Sequence, residues 1–280
     1  MHEWSLIVFT LLTQIAVGAF IAGGIMERRI KSLSPESAAA GSKRTLPVII
    51  LMAVIALIIS FLHLGNPANA LHALNNIGSS WLSREILFVA LFTGGAVVFY
   101  LLVLWKRTAE RFSKIVAYIT AIAGLLAVFS MAKVYMLETV PVWNTLFTPL
   151  QFFFTTFLLG GLAVLIYHRN YEETTVRLPL KILMVLLLAS IMLWEANIYL
   201  LSGGEIAAGE SLKVLLNKNE WLFYGRLVLM ALAVILIVYP ILKRAIQKHP
   251  RLIIASFALL LIAEIIGRYL FYASYSRIGI

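Results

Sequence analysis

Residues 61–86 read FLHLGNPANALHALNNIGSSWLSREI, a polar stretch held between two apolar segments that are each long enough to cross a bilayer. His63 stands at one end of it and Glu85 at the other, so the two side chains occupy the mouths of neighbouring spans. A histidine and a carboxylate in such places need a physical reason, and the rest of the chain supplies the setting for one.

The 280 residues are 61% hydrophobic and 13% charged, whereas a soluble domain is about half apolar and a quarter charged. The composition is that of an integral membrane protein. The net charge of +10 comes from short basic clusters between apolar runs. That is the pattern of orientation signals rather than of a face for nucleic acid. There is no cysteine, which excludes a thiolate-held iron–sulfur cluster, a cysteine zinc site and a disulfide in this chain. MHEWSLIVFT lacks a basic n-region, and its apolar run is long enough to span, so it reads as a retained first helix.

A spanning helix needs about 20 predominantly apolar residues. Eight segments qualify, at 5–26, 45–65, 85–105, 115–136, 148–167, 180–202, 222–241 and 252–273, predicting an all-α integral membrane fold in a single domain, 1–280. The connections 27–44, 106–114, 168–181 and 242–251 hold 16 of the 23 Lys and Arg residues, while the N-tail, 66–84, 137–147, 203–221 and the C-tail together hold 4. By the positive-inside rule the first set is cytoplasmic, and both termini face outward. FTLLTQIAVGAFIAGG (9–24) and FTPLQFFFTTFLLGG (147–161) are alike, and with four spans on each side they raise a four-plus-four repeat of 1–136 and 147–273; chance similarity of short apolar segments is the alternative. Asn66-Pro67, with Leu71, Leu74 and Ile77 at threes and Gly78 after them, predicts a short helix in the outer connection.

Ionisable groups within spans are costly and mark function by default. Lys133, Glu195, Arg226, Glu264 and Arg268 are the ones present, with His63 and Glu85 at helix mouths and Gln14 in the first span. Under the expected orientation all of them fall toward the outer side, and the cytoplasmic halves are nearly all apolar. The alternative is that they pair and hold the bundle: Glu264 and Arg268 at i, i+4, and Glu195 with Lys133 or Arg226. His63 has no such partner at i±3 or i±4.

An imidazole exchanges protons at physiological pH, and a carboxylate at a helix mouth can pass a proton to water. An apolar cavity with these groups near the outer face suits a lipid-soluble hydroquinone, whose oxidation releases two protons and two electrons. The electrons have no resident carrier here. Of the five histidines, His2 is terminal, His72 lies in the outer connection, and His168 and His249 lie at cytoplasmic ends. A bis-histidine haem therefore lacks its second ligand, no metal site is expected, and the acceptor must belong to another subunit. Catalysis by this chain alone is not implied.

The residues HEW then FT near the N-terminus, HLG at 63–65, SREI at 83–86, VPVWNTLFTPL at 140–150 and EIIGRYLFY at 264–272 together resemble the membrane-anchor subunit family of dimethyl sulfoxide reductases. The resemblance implies a haem-free, menaquinol-oxidising anchor in the bacterial inner membrane. It further implies two partners: a four-cluster iron–sulfur subunit, and a molybdopterin catalytic subunit of anaerobic respiration. It implicates His63 and the acidic Glu85 in quinol oxidation. Gln14, Lys133, Glu195, Arg226 and Glu264 complete the expected quinol-binding set on the reading of intramembrane charges.

The cluster-bearing partner is expected to dock on the 66–84 and 137–147 connections, with Pro141, Trp143, Phe147 and Pro149 as a surface; an ordinary aromatic belt is the alternative. Two other functions stay open: a secondary transporter, which needs polar lining across the cytoplasmic halves, and a purely structural anchor. A retinal protein is disfavoured because the one intramembrane lysine, Lys133, is in the fourth span.

Overall fold

In the computed structural model, backbone is described for residues 3–32, 35–62, 74–105, 110–168, 173–203 and 206–275, and side chains for 4–32, 40–60, 75–105, 110–168, 175–200 and 218–275. All regular structure among them is helical. The helices are α1 (Glu3–Lys31), α2 (Pro35–Leu62), α3 (Trp81–Leu104), α4 (Glu110–Tyr135), α5 (Phe147–Tyr167), α6 (Glu173–Gly203), α7 (Ile206–Leu242) and α8 (Pro250–Ala273), with a 3₁₀ turn at Leu74–Asn76. Each of the eight carries a window long and apolar enough to cross a membrane. The chain forms two compact units, Met1–Met131 and Ala132–Ile280.

In the first unit α1 packs on α2 and α2 on α3. Phe20 of α1 meets the rings of Phe92 and Phe99 of α3 edge-on at 5.8 and 5.7 Å. Glycines let α4 close against these helices: Gly95 faces Thr120, and a Cβ at Gly124 would lie 2.9 Å from both Phe92 and Val17. Small residues at crossings are how membrane helices approach closely. Val17 is stiff at χ1 and Phe92 is fully buried, so neither can yield. Gly124→Val is expected to cost about 1–3 kcal/mol, read as a lowered unfolding midpoint of the purified chain in detergent; an unchanged midpoint would mean that the crossing is loose.

In the second unit consecutive helices α5 to α8 pack side by side, and α5 also meets α8, which closes the four into a bundle. Helix ends expected to share a membrane face do meet within each unit. Lys31 at the end of α1 pairs with Glu110 at the start of α4, and Trp143 before α5 bonds to the last turn of α8.

The helices outrun the apolar segments. α2 starts at Pro35 rather than 45, and α7 at Ile206 rather than 222, breaking at Asn219 (φ −129°, ψ 25°) before its membrane-length portion. Helix-forming residues such as Ala, Leu, Lys and Glu continue a helix beyond the hydrocarbon boundary that hydropathy detects. Between α2 and α3 a 3₁₀ turn is described at Leu74–Asn76; the short helix expected from Asn66-Pro67 onward begins outside the described residues.

Candidate functional site

Glu85 is one turn into α3, and the preceding chain fixes that turn. The Ser80 hydroxyl accepts from the Ser83 N–H as an N-cap. Arg84 donates to the carbonyls of Ile77 and Gly78 at 2.8 and 2.6 Å and lies over the Trp81 ring. With Arg84 committed to this clamp, its neighbour Glu85 turns into the protein and is only 6% exposed. Among the described residues Glu85 makes no ion pair and no hydrogen bond. A buried carboxylate in that condition is expensive. His63 lies outside the described residues. Gln14 is fully buried in α1, flanked by the buried Thr10 and Thr13.

The second unit holds a different arrangement. Arg226 of α7 places Nη2 3.6 Å from Glu264 Oε1 of α8. The carboxylate's other oxygen accepts from the Thr155 hydroxyl of α5 at 2.7 Å. The guanidinium lies 4.0 Å from the Trp194 ring centroid of α6 and against Gly267, where a Cβ would come within 2.6 Å of Cζ. Glycine at 267 is thus what admits the arginine. Arg268 stacks over the Phe152 ring at 3.5 Å.

Thr155, Trp194, Arg226, Glu264, Gly267 and Arg268 line a cavity of about 20 Å³, large enough for a water molecule. Around it, Arg226 Nε and Nη1, Gln151 Nε2 and Trp194 Nε1 are buried without a hydrogen-bond partner among the described residues. The lining is rich in donors, and its one carboxylate is already engaged. Chemically it suits an acceptor oxygen.

Expectation and structure part in two places. The partner of Arg226 is Glu264, not Glu195, which is exposed on α6. Successive helix residues diverge by about 100°, so with Trp194 turned to the cavity Glu195 points away. Trp143, expected on a docking surface, is buried: its Nε1–H donates to Phe271 O at 2.8 Å and Ser274 Oγ at 3.1 Å, and its ring stacks on Phe271. An indole N–H near the bilayer seeks an acceptor, and the last turn of α8 offers one. Leu146, 77% exposed, and Leu137, 41% exposed, are outward apolar side chains of that connection. Lys133 is half-buried near the end of α4. The structure joins Arg226 with Glu264, and leaves Gln14 and Glu85 in the first unit.

Two other histidines have structural surroundings. His168 is buried just beyond α5, with Nδ1 2.9 Å from the Val164 carbonyl; burial lowers its proton affinity, against the smaller opposite effect of that hydrogen bond. His249 meets the Tyr239 ring edge-on. Among the described residues no group of three or more His, Asp or Glu side chains is placed to hold a metal ion.

The family model described as DMSO reductase anchor subunit (DmsC) matches residues 1–274. The protein belongs to this family. It is 31% identical to an anaerobic dimethyl sulfoxide reductase subunit of Escherichia coli K12, over 99% of its own length and 96% of the relative's. It is 30% identical to the subunit of the same name in Haemophilus influenzae, over 100% and 97%, and 29% identical to the Escherichia coli dimethyl sulfoxide reductase subunit YnfH, over 99% and 96%. Eight apolar helices and an anchor family together make it a multi-pass membrane protein.

Proposed function

We propose that this anchor oxidises menaquinol at the outer end of its first unit and passes the electrons to a partner subunit of a dimethyl sulfoxide reductase-type complex. The observation that carries this reading is Glu85: a buried carboxylate at the mouth of a span, without a partner among the described residues. It lies next in the chain to the connection that begins at His63. The relatives named for dimethyl sulfoxide reductase support the complex. The Lys and Arg distribution supports an orientation in the bacterial inner membrane with both termini and this site on the outer side.

Menaquinol gives up two protons and two electrons. His63 takes a hydroxyl proton and Glu85 passes it to the water outside, with Gln14 offering a hydrogen bond to the headgroup. The electrons leave for an iron–sulfur cluster of the partner, since this chain has no cysteine to hold one, and from there reach a molybdopterin subunit. In the second unit the donors around Arg226 and Glu264 border a cavity that admits a single oxygen and form a separate candidate contact for a quinone carbonyl. Lys133 and Glu195 are the other candidates of that unit.

The test uses membranes that contain the protein and its partners, supplied with a reduced menaquinol analogue. His63→Ala and Glu85→Gln are expected to lower quinol-linked reduction by about 10²-fold or more, the usual worth of a positioned acid or base, with assembly intact. Turnover unchanged in both would leave a purely structural anchor.

A further inference from the structure

Where α1 ends and α4 begins, a cavity of about 610 Å³ opens among α1, α3 and α4 of the first unit. That volume is in the range of small-molecule sites, about 300–1,000 Å³. Its rim is ionic. Arg28, Lys31 and Lys114 face Glu27 and Glu110. Glu110 is held by Lys31 at 2.7 Å and Lys114 at 3.2 Å, and Arg28 donates to the Tyr118 hydroxyl at 2.7 Å. Among the described residues, three cations against two carboxylates leave one positive charge in excess, which matches a phosphodiester.

The wall is apolar. Phe99, Val103 and Ala117 line it, together with Gly24. Ala117 is seven residues into α4 from Glu110, and Gly24 seven residues back from Lys31. At 1.5 Å per residue the cavity therefore reaches about 10 Å into the spans. A free anion needs no such wall, and a plain hydrocarbon needs no such rim. A ligand that uses both is an amphiphile with one negative charge at its head. Basic pockets between membrane helices take anionic headgroups in this way.

We infer that this cavity binds an anionic phospholipid, with its phosphate among Arg28, Lys31 and Lys114 and an acyl chain along Phe99 and Val103. The inference does not depend on the quinol reading, and it gives the first unit a lipid clamp at its basic end.

The test is native mass spectrometry of the full-length protein, purified in non-ionic detergent, stripped of lipid and titrated with phosphatidylglycerol, phosphatidylcholine or inorganic phosphate. One phosphatidylglycerol is expected to be retained, in preference to the other two. Arg28→Gln with Lys114→Gln should weaken it by about fivefold for each cation removed. Lys248→Gln with Arg251→Gln, which removes two cations from the other unit, should leave it unchanged. Ala117→Phe narrows the apolar wall without altering charge and should also weaken binding. Equal loss from both charge-removing pairs, equal retention of phosphatidylcholine, displacement by inorganic phosphate at similar concentration, or indifference to Ala117→Phe would each overturn the proposal.

Discussion

Glu264→Ala is expected to destabilise the second unit by about 3–5 kcal/mol, the range for breaking a buried ion pair from one side. Arg226 and Glu264 are each only 6% exposed. With the carboxylate gone, a guanidinium that already has two nitrogens without a hydrogen-bond partner among the described residues loses its counter-charge in a membrane-spanning bundle. Thr155 loses an acceptor as well. Replacing both partners, as in Arg226→Met with Glu264→Leu, should recover most of the loss, because a well-packed apolar pair is often as stable as a buried ionic one. Unfolding midpoints of the purified protein check both arms. A single-variant cost below about 1 kcal/mol would place the pair among solvated surface bridges. If the double variant recovers stability but slows quinol turnover in the assembled complex, the pair is kept for function rather than for folding.

The spans are the most legible part of this protein. Hydrophobic length alone marks a crossing, because every backbone polar group in hydrocarbon must be satisfied within the helix. Hydropathy is silent about where a helix ends once it leaves the hydrocarbon, and so it misses the first turns of α2 and of α7. The grouping of helix ends is also legible: the basic clusters put Lys31 and Glu110 on one side, and the structure brings them into contact.

The polar site is legible as a set of residue types but not as a set of pairs. Sequence spacing shows which groups share a helix face, as with Glu264 and Arg268, but not which face meets a neighbouring helix. The pairing of Arg226 with Glu264 depends on the rotation of α7 against α8, and on Gly267 leaving room for the guanidinium. The sequence does carry a signal for this. A glycine inside a helix costs about 0.5–1 kcal/mol relative to alanine. Gly124 and Gly267 do stand at close approaches, but Gly24, Gly94 and Gly225 have open space beside them, so glycine marks candidates for a close approach and not which of them is one. Glu85 stands out because a carboxylate one turn into an apolar span has few ordinary explanations.

Trp143→Ala should cost about 3–5 kcal/mol, the range for truncating a large buried aromatic. The ring is 7% exposed and stacks on Phe271 at 5.0 Å. It also meets Tyr135 edge-on at 5.6 Å, and Tyr135 accepts from the Tyr272 hydroxyl at 2.9 Å. Loss of the indole therefore opens a cluster that ties the α4–α5 connection to the end of α8. Trp143→Phe keeps an aromatic ring and removes the N–H donor to Phe271 O and Ser274 Oγ, so its cost should fall to about 1–3 kcal/mol. The two variants separate packing from recognition. If Trp143 acts through packing, recovery of partner subunits with the membrane fraction should follow the unfolding midpoint, with Phe between wild type and Ala. If instead Trp143→Phe loses more of the partners than its midpoint accounts for, the indole edge is read by another protein, as the docking surface expected at Pro141, Trp143, Phe147 and Pro149 requires. The burial of the ring favours the first outcome, and it moves the apolar contact that this connection offers to Leu137 and Leu146.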